Sequence, residues 1–475
     1  MNEVRRLPAH VDAPQAATRR RHVHAAPHLR IPFGHRLADG QPVFWDSKAA
    51  INGHMLLAGP SGTGKTYQLN AMLAALARQG VPRIHVLNVH GDLCDGLPEH
   101  QVHTVRFSEQ SPYGLQPLEL LDDADIGGVR RRCLAFINLM ARQGALGQRQ
   151  RPALFRLLSE GYRNFGFHMD DPKTWTLDHD PRGRPGLVKR YPTLKDLKGS
   201  IWTRMVMLRM GQTQTAAVAL DKVITLAKRR SRLRKQQQAP GDGDVEKLDA
   251  ALEKARAEAR DAFAEGLERI DTGEELEELI LWNNPDCVQS LYDRIEALEL
   301  SGVFKSSPLP FPRDVCVYDY NIQALDLREQ QLFTDCLMER LYVGAKQRGE
   351  CDSPVEFVVI DEADCFTTDD PEHIINRMVK ELRKFGVGMI LAGQSFEHFS
   401  DDLLMSASVK LVLGCPEMFL EPTRRRLGLP MADQDGRKVN PLGTIRPRQT
   451  AFAGVAMAGE NRPIAEIRLA GLVRP

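Results

Sequence analysis

Eight residues, Gly59-Pro60-Ser61-Gly62-Thr63-Gly64-Lys65-Thr66, constrain this chain more than any other stretch. They follow the apolar run Met55-Leu56-Leu57-Ala58, which reads as a short buried strand, and precede 67–79, rich in Ala and Leu at helical spacing. A glycine-rich loop between strand and helix is the context in which G-x-x-x-x-G-K-T signifies phosphate binding. Gly62 and Gly64 let backbone N–H groups turn inward onto phosphate oxygens, at a helix N-terminus already favourable to anions. Lys65 then reaches the β- and γ-phosphates of ATP, and the Thr66 hydroxyl holds Mg²⁺. The expected nucleotide-binding residues are therefore Gly59 to Thr66 with Tyr67 beside them.

A second signal lies far downstream. Val355 to Ile360, apolar but for Glu356, reads as a strand that ends in Asp361-Glu362-Ala363-Asp364. A buried strand ending in an acid is what a phosphate-loop ATPase sets opposite the loop to hold Mg²⁺. Asp361 is the candidate for the metal shell, and Glu362 for orienting or deprotonating the attacking water. A third apolar run ends in Leu391-Ala392-Gly393-Gln394-Ser395, where Gln394 can touch the γ-phosphate or its water. Arg383 and Lys384 precede that run. A guanidinium there can neutralise transition-state charge in its own or a neighbouring subunit, or simply stabilise a helix C-terminus. Asp92, after a strand at 83–89, is a further candidate for the Mg²⁺ or water network. The cluster Arg424-Arg425-Arg426 reads either as a DNA or interface contact or as a solvated turn.

The rest of the chain places these signals on an α/β frame. Strands are expected at 55–58, 83–89, 102–107, 314–319, 355–360, 388–392 and 410–413, with helices between, and a closing β-hairpin over 450–469. Residues 31–50 read as a hairpin or extended lead-in. We divide the chain into a basic tail at 1–30, a first core segment at 31–121, a helical insertion at 122–304 and a second core segment at 305–475. Within the insertion, 219–238 ends in the basic run Lys228, Arg229, Arg230, Arg232, Arg234 and Lys235. It forms with 245–280 a possible projecting helical hairpin, a solvated face or a contact for DNA or a partner. The tail reads as disordered or as a DNA-phosphate-binding arm. A formal net charge of +1 means that any nucleic-acid surface is local. No apolar run reaches the roughly 18 residues needed to span a membrane, and no secretory signal is visible. The 8 cysteines are scattered without a C-x-x-C pair, as expected of free thiols in a reducing cytoplasm.

Together these residues resemble the motor core of the HerA/FtsK superfamily, nearest to HerA-like DNA translocases and the cytoplasmic ATPases of conjugative type IV secretion. The matches run in family order: Asn52-Gly53-His54 before the loop strand, then His90-Gly91-Asp92, then Tyr113-Gly114-Leu115-Gln116-Pro117. The helical stretch around Leu146 to Gln150 and Tyr162, and the re-entry at Leu291 to Ile295 with Gly302 to Phe304, are also similar. Most specific is Leu382-Arg383-Lys384-Phe385-Gly386, followed by Gln394-Ser395. The resemblance implies a RecA-like fold with a mostly parallel sheet, ATP and Mg²⁺ as ligands, and a hexameric ring. It also implies that Arg383 is an arginine finger acting across the subunit boundary, and that double-stranded DNA is the substrate. Asn88 stands where relatives often carry an acid, which leaves Asp92 for that role. About 55 residues precede the loop, so neither the β-barrel of HerA translocases nor the membrane helices of coupling proteins is expected. The expectation is a stripped motor that borrows docking surfaces from partners. Two alternatives stay open: a secretion ATPase acting on protein, and the ATPase of an antiviral complex with a partner nuclease.

Overall fold

All residues of β3 (Met55–Ala58) are buried, so both faces of this strand are covered. Its alternation sorts two cores: Met55 and Leu57 join one, Leu56 and Ala58 the other. The structure, a computed structural model, describes residues 28–470 apart from 121–126, 143, 145, 178–188, 211–225, 228–248, 259, 262–263, 265–284, 306, 308, 313, 435–436 and 459–462. Before β3 come β1 (Arg30–Arg36) and β2 (Pro42–Asp46); after it come α1 (Lys65–Arg78), β4 (Arg83–Asn88) and β5 (Val102–Arg106). Next among the described elements come the helices α2 (Val129–Arg142), α3 (Gln150–Asn164), α4 (Leu194–Met210) and α5 (Pro285–Leu300). The chain then runs through β6 (Val317–Asn321), α6 (Leu327–Arg348), β7 (Cys351–Ile360), α7 (Ile374–Glu381), β8 (Phe385–Gly393), α8 (Asp401–Ser406) and β9 (Val409–Val412). It ends with α9 (Leu420–Arg426), the small pair β10 (Ala432–Gln434) and β11 (Arg437–Val439), then β12 (Thr450–Val455) and β13 (Ala465–Leu469).

One 11-stranded sheet takes the order β2-β1-β13-β12-β9-β3-β8-β7-β4-β6-β5. From β9 to β5 every pairing is parallel, while β12, β13, β1 and β2 add an antiparallel edge. This is the mixed, mostly parallel sheet expected of a RecA-like α/β fold. Leu69, Met72, Leu73 and Leu76 of α1 fill one face, along with Ile31, Phe33 and Trp45 of the first hairpin. Helices α2, α3, α6 and α7 cover the other. Register aligns the carboxyl ends, Ala58 opposite Gly393 and Val412, and Ile360 opposite Leu391. With strands about 4.8 Å apart, the ends of β3 and β7 stand roughly 10 Å apart with the end of β8 between them. The sheet order thus brings together loops that are hundreds of residues apart in sequence.

Several boundaries differ from the sequence expectation. The first hairpin is not a lead-in but the sheet edge, with Gly34 opposite Leu469. Its first strand starts at Arg30, because His28 and Arg30 both hold Asp46 at 2.8 Å. Burial opposes ionisation of Asp46, but the Lys48 N–H, Arg30 and His28 together hold its pKa near 2. β6 starts at Val317 rather than 314, and α7 ends at Glu381, followed by one 3-10 turn at Leu382–Lys384. Tail residues 1–27, the basic run 228–235 and most of the projected hairpin 219–280 lie outside the described residues.

The Asn52-Gly53-His54 motif ties down the foot of β3. Asn52 donates to the Ser406 carbonyl at 2.7 Å and accepts from the His54 N–H at 2.9 Å, while His54 Nδ1 accepts from the Met389 N–H at 3.2 Å. Burial, with the charge of Arg383 in support, lowers the His54 pKa to about 4, so this imidazole is neutral and able to accept that bond at physiological pH.

Candidate active site

α1 begins inside the motif, at Lys65, and its N-cap Gly64 has φ 101° with no side-chain cap. Its first N–H groups therefore face the loop's concavity, ready for an anion. Gly62 shares the left-handed backbone (φ 84°), which only glycine adopts without strain. Gly59 is required for packing, since a Cβ there would sit 2.6 Å from Thr63 Oγ1. Thr63 in turn donates to the Pro60 carbonyl at 2.7 Å and closes the turn.

Glu362 is the hub. Lys65 Nζ lies 3.3 Å from its Oε1, Gln394 Nε2 donates to its Oε2 at 3.2 Å, and His90 Nε2 stands 3.9 Å from Oε1. The ends of β3, β8, β7 and β4 thereby meet on one carboxylate. Glu362 holds φ 48°, a strained conformation for a residue with a side chain, of the kind that concentrates at functional sites. Beside it, Asp361 accepts the Glu362 N–H at 2.9 Å and is only 3% exposed. Burial raises the Asp361 pKa; the Glu362 charge adds to this and Lys65 and His90 oppose it. A buried carboxylate short of positive charge is one that a hard cation would satisfy.

Lys65, His90, Asp361 and Glu362 line a cavity of about 810 Å³ that also takes in Pro60, Ser61, Thr66, Tyr67 and Asp92, while Gln394 reaches it only through its bond to Glu362. The donor set fits Mg²⁺ and a triphosphate: one hydroxyl, one buried acid and a cradle of N–H groups, with the remaining oxygens left to the phosphates and water. Thr66 and Asp361 would hold the metal, which when bound would offset the charge of the phosphates. Asn88 faces the turn instead, accepting the Gly91 N–H at 2.8 Å, and so aims His90 and Asp92 at the cavity.

Not every candidate joins. Arg383 is exposed and lies before β8, at the end opposite Gln394. The 9 residues of β8 put roughly 30 Å between Arg383 and the phosphate loop of the same chain. The own-subunit reading of Arg383 is therefore excluded by distance. Lys384 sits 3.8 Å from Glu350 at the surface. The triple arginine is largely internally spent. Arg424 and Arg425 share Glu421, at 2.8 Å each, and Arg426 donates to the Phe396 and Phe399 carbonyls and to Asp401. Arg426 thus braces the turn that follows Gln394. Sequence reasoning missed Arg448, which lies against the loop and lines the same cavity. No motif pointed to it, because its position depends on a strand order that brings β12 beside β9.

Known proteins resemble this chain over part of its sequence and in its fold. A model of the FtsK/SpoIIIE family matches residues 15–83, the segment carrying the first hairpin, the phosphate loop and α1. The solved structure of VirB4 of Thermoanaerobacter pseudethanolicus is similar at TM-score 0.60 and 15% identity, over 95% of this chain and 98% of that one. The plasmid coupling protein TrwB in complex with ADP and Mg²⁺ gives TM-score 0.49 and 14% identity, over 94% of this chain and 95% of that one. No curated relative matches by sequence. The likeness to VirB4 supports the RecA-like fold read from the residues, and the family model matches the expected FtsK-type resemblance over 15–83.

Proposed function

We propose that this chain is an ATP-hydrolysing ring motor that moves double-stranded DNA, in conjugative transfer or DNA processing. The observation that carries the reading is the convergence of Lys65, Gln394 and His90 on Glu362, beside Asp361 and in the same cavity as Thr66. ATP and Mg²⁺ are its ligands. Lys65 pairs with Glu362 at 3.3 Å; a γ-phosphate in the cavity would compete for the ammonium and leave the carboxylate to take a proton from water. Gln394, bonded to the same carboxylate, feels that exchange and passes it to β8, at whose far end Arg383 is exposed. Since Arg383 cannot reach its own loop, we assign it to the neighbouring subunit's site. That assignment makes the active unit a closed ring, for which we propose a hexamer. Among the described residues no helix is long and apolar enough to cross a membrane. Within the insertion that we propose at 122–304, the basic run Lys228 to Lys235 is our candidate DNA or partner contact.

The direct test is third-strand displacement. Purified protein with ATP and Mg²⁺ is expected to strip a triplex-forming oligonucleotide from long duplex DNA, and to lose this as salt rises, since phosphate contacts dominate such binding. Vigorous ATP hydrolysis with no displacement would favour a protein substrate, as in a secretion ATPase. Displacement only after a nuclease co-purifies would favour the defence-complex reading.

A further inference from the structure

Among the described residues, only Glu362 and Arg448 lack glycine's freedom yet hold positive φ, 48° and 63°. Both line the same cavity. Arg448 sits in the turn that precedes β12. Its N–H donates to the Thr63 carbonyl and its Nε to the Gly62 carbonyl, both at 3.3 Å. Its stem covers Gly64, where an added Cβ would stand 3.4 Å from Arg448 Cγ. The backbone bond to Thr63 needs no arginine, and glycine would make this turn with less strain. No carboxylate among the described residues pairs with the guanidinium, which is exposed at the mouth of the cavity. Charge supplies the reason for an arginine. Lys65 is committed to Glu362, while Asp92 and Asp361 add negative charge to the space that a nucleotide would fill. A second cavity, of about 770 Å³, also has Arg448 and Leu469 in its wall, so the side chain stands where the two meet.

We infer that Arg448 is a nucleotide-binding residue acting in its own subunit, its guanidinium engaging phosphate oxygens common to ADP and ATP from the outer side of the loop. This rests on the phosphate loop being the nucleotide site. It also divides labour between two arginines: Arg448 holds the nucleotide in cis, whereas Arg383 approaches from the neighbour. A charge-assisted pair of this kind is worth about a tenfold to hundredfold change in affinity.

The test is calorimetric titration of ADP with Mg²⁺ into wild type, Arg448→Gly, Arg448→Met and Lys65→Ala, with thermal melts of each. Arg448→Gly keeps the left-handed backbone and removes only the side chain. It is expected to raise the ADP Kd at least about tenfold, with a melting midpoint equal to or above wild type. Should that midpoint fall, Arg448→Met decides, because it keeps a stem on Gly64 and lacks only the charge. Wild-type ADP affinity in Arg448→Met, or in a fully stable Arg448→Gly, overturns the assignment while weakened binding in Lys65→Ala leaves the site itself intact. Wild-type affinity in Lys65→Ala instead removes the nucleotide site, and this inference with it.

Discussion

Glu362→Gln is expected to bind ATP at least as tightly as wild type and to hydrolyse it about 10²- to 10⁴-fold more slowly. Glutamine matches the shape of glutamate and can still bond Gln394, so the cavity keeps its form. It cannot accept the water's proton. It also frees Lys65 from a carboxylate 3.3 Å away, so a triphosphate no longer has to break an ion pair to recruit the ammonium. Tight binding with slow chemistry is therefore the signature, measured by single-turnover hydrolysis beside an equilibrium titration. Undiminished single-turnover rates would remove Glu362 from the chemistry. Weakened ATP binding would mean that the Lys65–Glu362 pair supports the loop rather than competing with the nucleotide.

Lys65→Ala should be more severe, with nucleotide binding and turnover lost together. Lys65 is 7% exposed, and among the described residues lining the cavity it is the ammonium at the head of α1. Its loss leaves Glu362 and Asp361 adjacent with no lysine to offset them, in a space meant for more negative charge. A drop of at least about 10²–10³-fold in turnover follows from removing one preorganised charge at a phosphoryl-transfer site. Arg383→Ala, by contrast, should bind ATP normally and fail in hydrolysis. Mixing the two inactive variants creates interfaces in which an intact Lys65 faces an intact Arg383. Random mixing in a ring makes about a quarter of the interfaces competent, so up to about a quarter of wild-type activity should return. No recovery in rings shown to be mixed would take the finger role from Arg383.

Much of the site was legible because its parts are short motifs whose chemistry needs fixed residue types. The glycines at 62 and 64, the lysine after them and the acid pair ending an apolar strand each declare themselves without neighbours. The parallel strands were equally visible, since double-sided burial writes continuous apolar runs such as Phe357 to Ile360. What could not be read was adjacency. That β8 lies between β3 and β7, so that Gln394 bonds Glu362, follows from sheet order and leaves no local trace. For the same reason Arg383 looked equally suited to either subunit until the length of β8 separated it from the loop. Arg448 escaped notice altogether, because a turn residue with no motif gains meaning only when the antiparallel edge folds back on the phosphate loop. The arginines at 424–426 went the other way, as a conspicuous charge run that the fold spends on Glu421 and on carbonyls near Gln394.

We propose that one composite site, built from the ends of β3, β4, β7 and β8, couples ATP cleavage to a duplex. The measurement that bears on it most directly is the steady-state ATPase rate with Mg²⁺, with and without long double-stranded DNA, on material whose native mass is determined alongside. We predict a multimer whose hydrolysis rises on adding duplex and falls back as salt is increased. An assembled multimer that neither hydrolyses ATP nor responds to duplex would contradict the account.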